Sequence, residues 1–136
     1  MKQKGRLTYS AVKWGLVLTL VLPLAGCAGW QEYSKRVENP YPGEATAVAR
    51  GKALYSSKGC PLCHGEKGAG DGPESARLRV TLPDFSDRDR MITRSDPDLF
   101  WAIVRGRERT GMPAYREQLS ENEAWDIVNH LRSLYQ

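Results

Sequence analysis

Downstream of residue 44, the chain contains three stretches in which apolar residues recur with helical spacing. The first, residues 45–56, is rich in alanine, has no internal proline and places Gly51 and Tyr55 on one face. Glycine commonly ends a helix because it accepts the backbone conformation that follows the last turn. The pattern therefore predicts a first helix that ends near Gly59.

Two capping boxes predict where the second and third helices begin. Ser95 precedes an acidic residue by three positions, and the apolar residues 99–104 follow up to Gly106, where we expect the second helix to end. Ser120 and Glu123 repeat the box before a helix that closes the chain. The apolar stripe of this last helix consists of Ala124, Ile127, Val128, Leu131, Leu134 and Tyr135.

Residues 65–94 separate the first two predicted helices and show no helical period. They contain several glycines, two prolines and many charged residues. A loop of this length is uncommon in so small a domain unless it wraps something, and a bound cofactor would serve. Since no stretch of the chain alternates as a half-buried strand does, we expect an all-α fold.

The apolar run near the amino terminus has the features of an export signal. Residues 2–13 carry four basic side chains, and residues 14–26 are uncharged and mostly apolar, a run too short for an ordinary membrane span. The sequence Leu24-Ala25-Gly26-Cys27 resembles the lipobox of bacterial lipoproteins. We therefore predict a signal peptide over residues 1–26 and a lipid on Cys27. An uncleaved anchor and ordinary cleavage that leaves a free thiol are the alternatives.

The distribution of charge excludes one class of function. The chain has 20 basic and 16 acidic residues, but four of the basic ones and none of the acidic ones precede Cys27. Residues 27–136 therefore carry no net charge, and a nucleic-acid-binding role based on overall charge fails. The apolar content of 40% is typical of one small globular domain.

Residues 27–43 are predicted to be the lipidated cysteine and a flexible tether. They contain two prolines, two glycines and scattered charges without an apolar period. One folded domain is expected to follow over residues 44–136. A loop packed on that domain is the alternative for the tether, because Trp30, Tyr33 and Tyr41 could be buried.

The candidate chemistry lies in the sequence Cys60-Pro61-Leu62-Cys63-His64. Two thiols three positions apart can each join one vinyl group of a haem, and the histidine that follows can bind the iron. The motif therefore predicts one covalently attached haem c. Zinc would need a further ligand, a redox dithiol would need a βαβ context, and a chance structural motif would carry no cofactor.

Residues 44–136 resemble a small class I cytochrome c, in particular the bacterial single-haem domains with a Gly-Asp-Gly-Pro loop. The resemblance implies a cytochrome c fold, with three main helices wrapped around one covalently bound haem. The residues that carry it are 51–55, Cys60 to Gly65, Gly70-Asp71-Gly72-Pro73, Gly111-Met112-Pro113 and the closing helix.

The resemblance also implies site residues outside the cysteine motif. It makes Met112 the distal iron ligand, and a neutral thioether raises the reduction potential relative to a second histidine. It makes the carbonyl of Pro73 the acceptor of a hydrogen bond from the second ring nitrogen of His64. Met91 and His130 are the rival ligands. His130 stands where the family usually has Tyr or Phe, and we expect it to pack where the first and last helices cross.

Together these features predict a lipid-anchored monohaem cytochrome c whose domain faces the periplasm or the cell exterior. It would pass single electrons between redox partner proteins and transform no small-molecule substrate. A permanently bound haem subunit of an oxidase, reductase or dehydrogenase is one alternative. A haem sensor or peroxidase-like enzyme, which needs an open iron position, is another. The basic cluster Arg105, Arg107 and Arg109 either steers an acidic partner, pairs with a haem propionate or forms a solvated face.

Overall fold

A computed structural model describes residues 37–135, and within them all regular structure is helical. Two short 3₁₀ turns, Ser75–Arg77 and Glu108–Thr110, lie in the loops, and Arg107 and Met112 form a single antiparallel bridge. The predicted all-α class is confirmed. The helices are α1 (Ala45–Ser57), α2 (Pro61–His64), α3 (Arg88–Met91), α4 (Asp96–Arg105) and α5 (Glu121–Ser133).

The predicted limits of α1 and α4 and the predicted start of α5 are confirmed, whereas α5 ends at Ser133, before Leu134 and Tyr135 of the predicted stripe. The side chains of Ser95 and Ser120 each accept a hydrogen bond from the backbone N–H of the acidic residue three positions later. The side chain of that acidic residue accepts one in return from the backbone N–H of the serine. Gly106 follows α4 with φ of 68°, and Gly59 turns the chain just beyond α1 with φ of 73°.

The main helix contact of the domain is the crossing of α1 and α5. Gly51 lies against the backbone of Asp126, and the ring of Tyr55 meets that of His130 edge to face, with 5.2 Å between ring centroids. His130 is buried, so its predicted position at the crossing of the first and last helices is confirmed. The crossing fixes the direction in which α1 delivers the chain to residues 60–64.

Helix α5 is buried over a much wider arc than its apolar stripe indicates. All eight residues from 124 to 131 are buried, including the polar Asp126, Asn129 and His130. The Asp126 carboxylate, only 4% exposed, accepts two hydrogen bonds from the Arg50 guanidinium at 2.7 and 2.8 Å. A buried carboxylate needs such a partner to offset the loss of hydration.

Residues 37–43 pack on the helical domain. Asn39 donates to the side-chain oxygen of Asn129 at 3.0 Å, and the Gly43 N–H donates to the same atom at 2.9 Å. The Tyr41 hydroxyl donates to the carbonyl of Asn122 at 2.9 Å. The alternative of a packed loop therefore describes this part of the predicted tether, and the folded region begins before residue 44.

The other amino-terminal predictions, namely the signal peptide, the lipid on Cys27 and the first part of the tether, lie outside the described residues. Within residues 37–135, no helix combines the length and the apolar character needed to cross a membrane.

The hydrophobic core joins α4 and α5 to the end of the long loop. The rings of Phe100 and Trp125 stack with centroids 4.3 Å apart, and Met91 is completely buried beside them in the same core cluster. Arg132 holds this part of the loop through hydrogen bonds to the carbonyls of Met91 and Arg94 and an ion pair with Asp96. The loop is thus anchored to α5 at its far end.

Candidate cofactor site

Helix α2 carries the cysteine motif and is joined to α1 by a single tight turn. The Cys60 N–H donates to the carbonyl of Tyr55 at 3.1 Å, and Pro61 opens α2, where its missing N–H costs nothing. The His64 N–H donates to the carbonyl of Cys60 at 2.9 Å, which completes one helical turn. The two thiols and the imidazole therefore lie within one turn of backbone.

The glycine-rich segment that follows braces this turn from the other side. The Gly70 and Gly72 N–H groups donate to the carbonyls of His64 and Cys63 at 2.8 and 3.2 Å. A Cβ atom on Gly72 would lie 2.4 Å from the carbonyl oxygen of Pro61, so no other residue fits there without a shift. The buried Tyr55 hydroxyl donates to the carbonyl of Gly65 at 2.8 Å, which ties the segment to α1.

One cavity of about 260 Å³ brings the predicted haem residues together. Cys60, Cys63, His64 and Met112 all line it, although Met112 lies 48 positions beyond His64 in the chain. The rest of the wall is mostly apolar and comes from the long loop, from α4 and from the segment around Met112. These apolar residues include Leu78, Val80, Leu82, Pro83, Phe85, Leu99, Ala102, Ile103 and Pro113.

The segment that carries Met112 is fixed to the end of α4. The Arg107 N–H donates to the carbonyl of Met112 at 2.9 Å, and the Tyr115 N–H donates to the carbonyl of Ile103 at 3.1 Å. A Cβ atom on Gly106 would lie 2.6 Å from the Met112 carbonyl oxygen, so glycine allows this close return of the chain. The thioether is thereby held at the cavity wall.

The two rival ligands occupy other places. Met91 is completely buried in the core, and His130 packs on Tyr55 between α1 and α5. Neither residue is among those that line the cavity. Of the candidates for a second axial ligand, only Met112 shares the cavity with His64.

His64 has the surroundings of a neutral imidazole. Its ring lies beside that of Phe85, with 5.0 Å between centroids, and burial lowers its pKa below the usual 6.5. Its Nδ1 atom is buried and has no hydrogen-bond partner among the described residues. The predicted bond to the Pro73 carbonyl is therefore not formed in this structure. Pro73 is exposed and lies in the turn behind α2, away from the cavity lining.

The thiols do not resemble a redox pair. Cys60 and Cys63 are both free, and burial raises the pKa of Cys60 to about 11. Redox dithiols depend on a lowered thiol pKa, so this environment does not favour that alternative. The zinc alternative needs further ligands, and within residues 37–135 no group of three or more His, Cys, Asp or Glu side chains is placed to hold a metal ion.

Sequence reasoning missed the loop residues that form much of the cavity wall. Leu78, Val80 and Leu82 all line the cavity. The expectation that no stretch of the chain alternates was wrong here, since an apolar residue occupies every second position from 78 to 82. In a loop otherwise rich in glycine and charged residues, this pattern indicates an extended segment whose apolar side chains all point to one side and pack on an apolar group.

The fold and the site define an all-α haem protein with a covalent attachment motif. An apolar cavity receives two thiols, an imidazole and a thioether, a donor set that fits haem c. The cytochrome c family model matches residues 48–135, and the chain belongs to that family. The matched region is accordingly a cytochrome c domain, and it carries covalently attached haem c.

Among solved structures, the chain is similar to a chain of the Kuenenia stuttgartiensis reducing HAO-like protein complex Kustc0457/Kustc0458. The two are 26% identical, with a TM-score of 0.60. The similarity covers 74% of this chain and 50% of the other, so this protein spans about half the length of that relative. No protein in the curated set matches the chain.

Proposed function

We propose that the protein is a membrane-tethered monohaem cytochrome c that carries single electrons between redox partners of a respiratory or related chain. In this proposal Cys60 and Cys63 form the two thioether links, His64 is the proximal iron ligand and Met112 the distal one. The observation that carries it is that all four side chains line one cavity, while Met91 and His130 do not.

The chain's own residues prepare this cavity for a one-electron carrier. The bound haem would supply an iron that exchanges one electron. The hydrogen bonds around α2 hold the two thiols and the imidazole within one turn, and the apolar wall limits access of water. A neutral thioether from Met112 favours the ferrous state and so supports a relatively high reduction potential. His64 and Met112 would both bind the iron, which would then have no position left for a substrate.

The membrane tether rests on the lipobox-like sequence that ends at Cys27. Two or more acyl chains on this cysteine and its amino group would hold the protein stably at a bilayer, whereas one would not. Residues 37–43 pack on the domain and therefore do not belong to the proposed tether. The domain would face the periplasm or the cell exterior.

A permanently bound haem subunit of a larger oxidoreductase is the second candidate. It is favoured by the similarity to a chain of a protein complex. Gel filtration of a mild-detergent extract distinguishes the two, because a carrier elutes near its own mass in detergent and a subunit elutes with other chains.

An intact-mass spectrum of the native protein, combined with a substitution at the proposed ligand, tests the main proposal. We expect one haem, a chain that begins at Cys27 and acyl groups on that residue. Met112→Ala should abolish the thioether-to-iron absorption band of the ferric protein. Met91→Leu, a substitution of similar volume in the core, should keep that band. A bare 136-residue mass, or an unchanged band in Met112→Ala, would overturn the assignment.

A further inference from the structure

Two arginines lie where the cofactor cavity meets a second cleft at the surface. Arg94 and Arg107 line both the cavity and the cleft. Within the part of the chain that the structure describes, they are the only Lys, Arg, Asp or Glu residues on the cavity wall. A mostly apolar wall therefore carries two positive charges, both at its junction with the cleft.

The charged neighbours in the cleft already have partners. The Arg90 guanidinium pairs with the carboxylate of Asp87 at 3.0 Å, and Asp98 caps α4 by accepting from the Ser95 hydroxyl at 2.7 Å. Across residues 37–135, no Asp or Glu lies within ion-pair distance of Arg94 or Arg107. These two guanidinium groups remain available to an anion that enters from the cavity.

The backbone at both arginines is held in place. The Arg132 guanidinium donates to the carbonyl of Arg94 at 2.6 Å and so ties this residue to α5. The Arg107 N–H donates to Met112, and the carbonyl of Arg107 accepts from the Thr110 N–H at 2.8 Å and from its hydroxyl at 2.9 Å. Anchored backbones reduce the conformational freedom that the side chains lose when they bind.

We propose that Arg94 and Arg107 bind the two propionate carboxylates of the haem. The proposal rests on the proposed function, because it requires the haem to occupy the cavity lined by Cys60, Cys63 and His64. Haem carries two carboxylates that are ionised at neutral pH, and burial beside an apolar wall is costly for them unless cations pair with them. Guanidinium suits this role because its planar fork can hold both oxygens of a carboxylate.

Arg107 has a second role in this proposal, which concerns the segment that carries Met112. Through its bridge with Met112, it belongs to the same backbone unit as the proposed distal ligand. A carboxylate held by Arg107 would therefore steady the segment that presents the thioether. Arg107 thus acts as a positioning residue for Met112 as well as a partner of the propionate.

The test uses the haem-loaded protein, with ¹³C in the haem propionate carboxylates, and compares redox-difference infrared spectra. The variants are Arg94→Gln, Arg107→Gln and the corresponding Lys substitutions. Arg116→Gln is the control, since Arg116 is exposed and lines neither the cavity nor the cleft. Intact mass is measured for each variant to confirm that haem is attached.

We expect each Gln variant to shift a labelled carboxylate band and to lower the reduction potential, because the loss of a positive charge favours ferric iron. Each Lys variant should stay closer to the wild-type potential, because it keeps the positive charge. It should still shift the band, because lysine lacks the planar guanidinium that can bind both carboxylate oxygens. Arg116→Gln should leave the bands in place. Attached haem with unshifted bands in both Gln variants would overturn this inference alone. Absence of attached haem in the wild-type protein would overturn the proposed function itself.

Discussion

Gly51 in α1 lies directly against the backbone carbonyl of Asp126 in α5. A Cβ atom built on Gly51 would stand 1.8 Å from that oxygen and 3.0 Å from the Cβ of His130. Only glycine allows the two helices to approach this closely. The approach places Tyr55 where its hydroxyl reaches the carbonyl of Gly65 behind the cysteine motif.

We therefore expect Gly51→Ala to destabilise the protein, although alanine is the better helix former by about 1 kcal/mol. The added methyl group must displace backbone atoms, and such overpacking costs about 1–3 kcal/mol or more. Thermal unfolding of the haem-loaded protein, followed by circular dichroism, measures the loss. Ala53→Val, which adds carbon atoms on the exposed side of the same helix, is the control. Equal melting temperatures for Gly51→Ala and wild type would contradict the close contact.

The ion pair between Arg50 and Asp126 supports a second prediction. Arg50→Gln should lower the free energy of unfolding, because it leaves a buried carboxylate without its cation. The half-exposed position of Arg50 keeps the loss below that of a fully buried pair. Denaturant unfolding checks this, and the double variant Arg50→Gln, Asp126→Asn should lose less than the two single losses combined. Strictly additive losses would show that the two side chains are not coupled.

Local signals were enough to predict the three long helices. The capping boxes at Ser95 and Ser120 and the glycines after α1 and α4 act through neighbouring residues only, so the sequence shows them directly. The cysteine motif was equally direct, since Cys60, Cys63 and His64 depend on one helical turn. The position of Met112 needed the family resemblance, because it reaches the cavity through the bridge to Arg107.

The remaining features depend on contacts between distant residues. Asp126 and Asn129 lie on the polar side of the predicted stripe, yet α1 and residues 37–43 cover them. Met91 stands among charged residues in sequence and is nevertheless buried, because Arg132 draws its backbone toward α5. Hydrophobic periodicity identifies one buried face of a helix. It cannot show that a second structural element covers a polar face of the same helix.

Asn129 provides a third prediction, because it fastens residues 37–43 to the domain. Its side-chain oxygen accepts from Asn39 and from the Gly43 N–H, and its amide donates to the carbonyl of Trp125. Asn129→Ala should cost about 1 kcal/mol, since it removes the hydrogen bonds that two part-buried donors, the Asn39 amide and the Gly43 N–H, make to this side chain. Amide hydrogen exchange should become faster at Gly43 while α4 keeps its protection. Glu38→Gln, an exposed change in the same segment, is the control. Unchanged exchange at Gly43 would show that Asn129 does not hold the segment.

His130 makes stability depend on pH in a defined direction. Burial, with a smaller contribution from the positive charge of Lys52, lowers the pKa of His130 below its ordinary 6.5. Between pH 6.5 and the lower folded-state pKa, His130 binds a proton in the unfolded chain and not in the folded protein. The free energy of unfolding therefore decreases as the pH is lowered through this range. This group alone can contribute a slope of up to about 1.4 kcal/mol per pH unit.

We expect the free energy of unfolding of the haem-loaded protein to decrease from pH 7 to pH 5, and His130→Phe to show a shallower decrease. Phenylalanine keeps an aromatic ring against Tyr55 and has no proton to bind. The difference between the two slopes isolates His130, because His64 and the acidic residues contribute equally to both proteins. Denaturant unfolding at several pH values measures the slopes. Since Asp84 and Glu123 have pKa values below their ordinary range, they act only in more acidic solution. Parallel slopes from pH 7 to pH 5 would show that His130 binds protons equally in the folded and unfolded states.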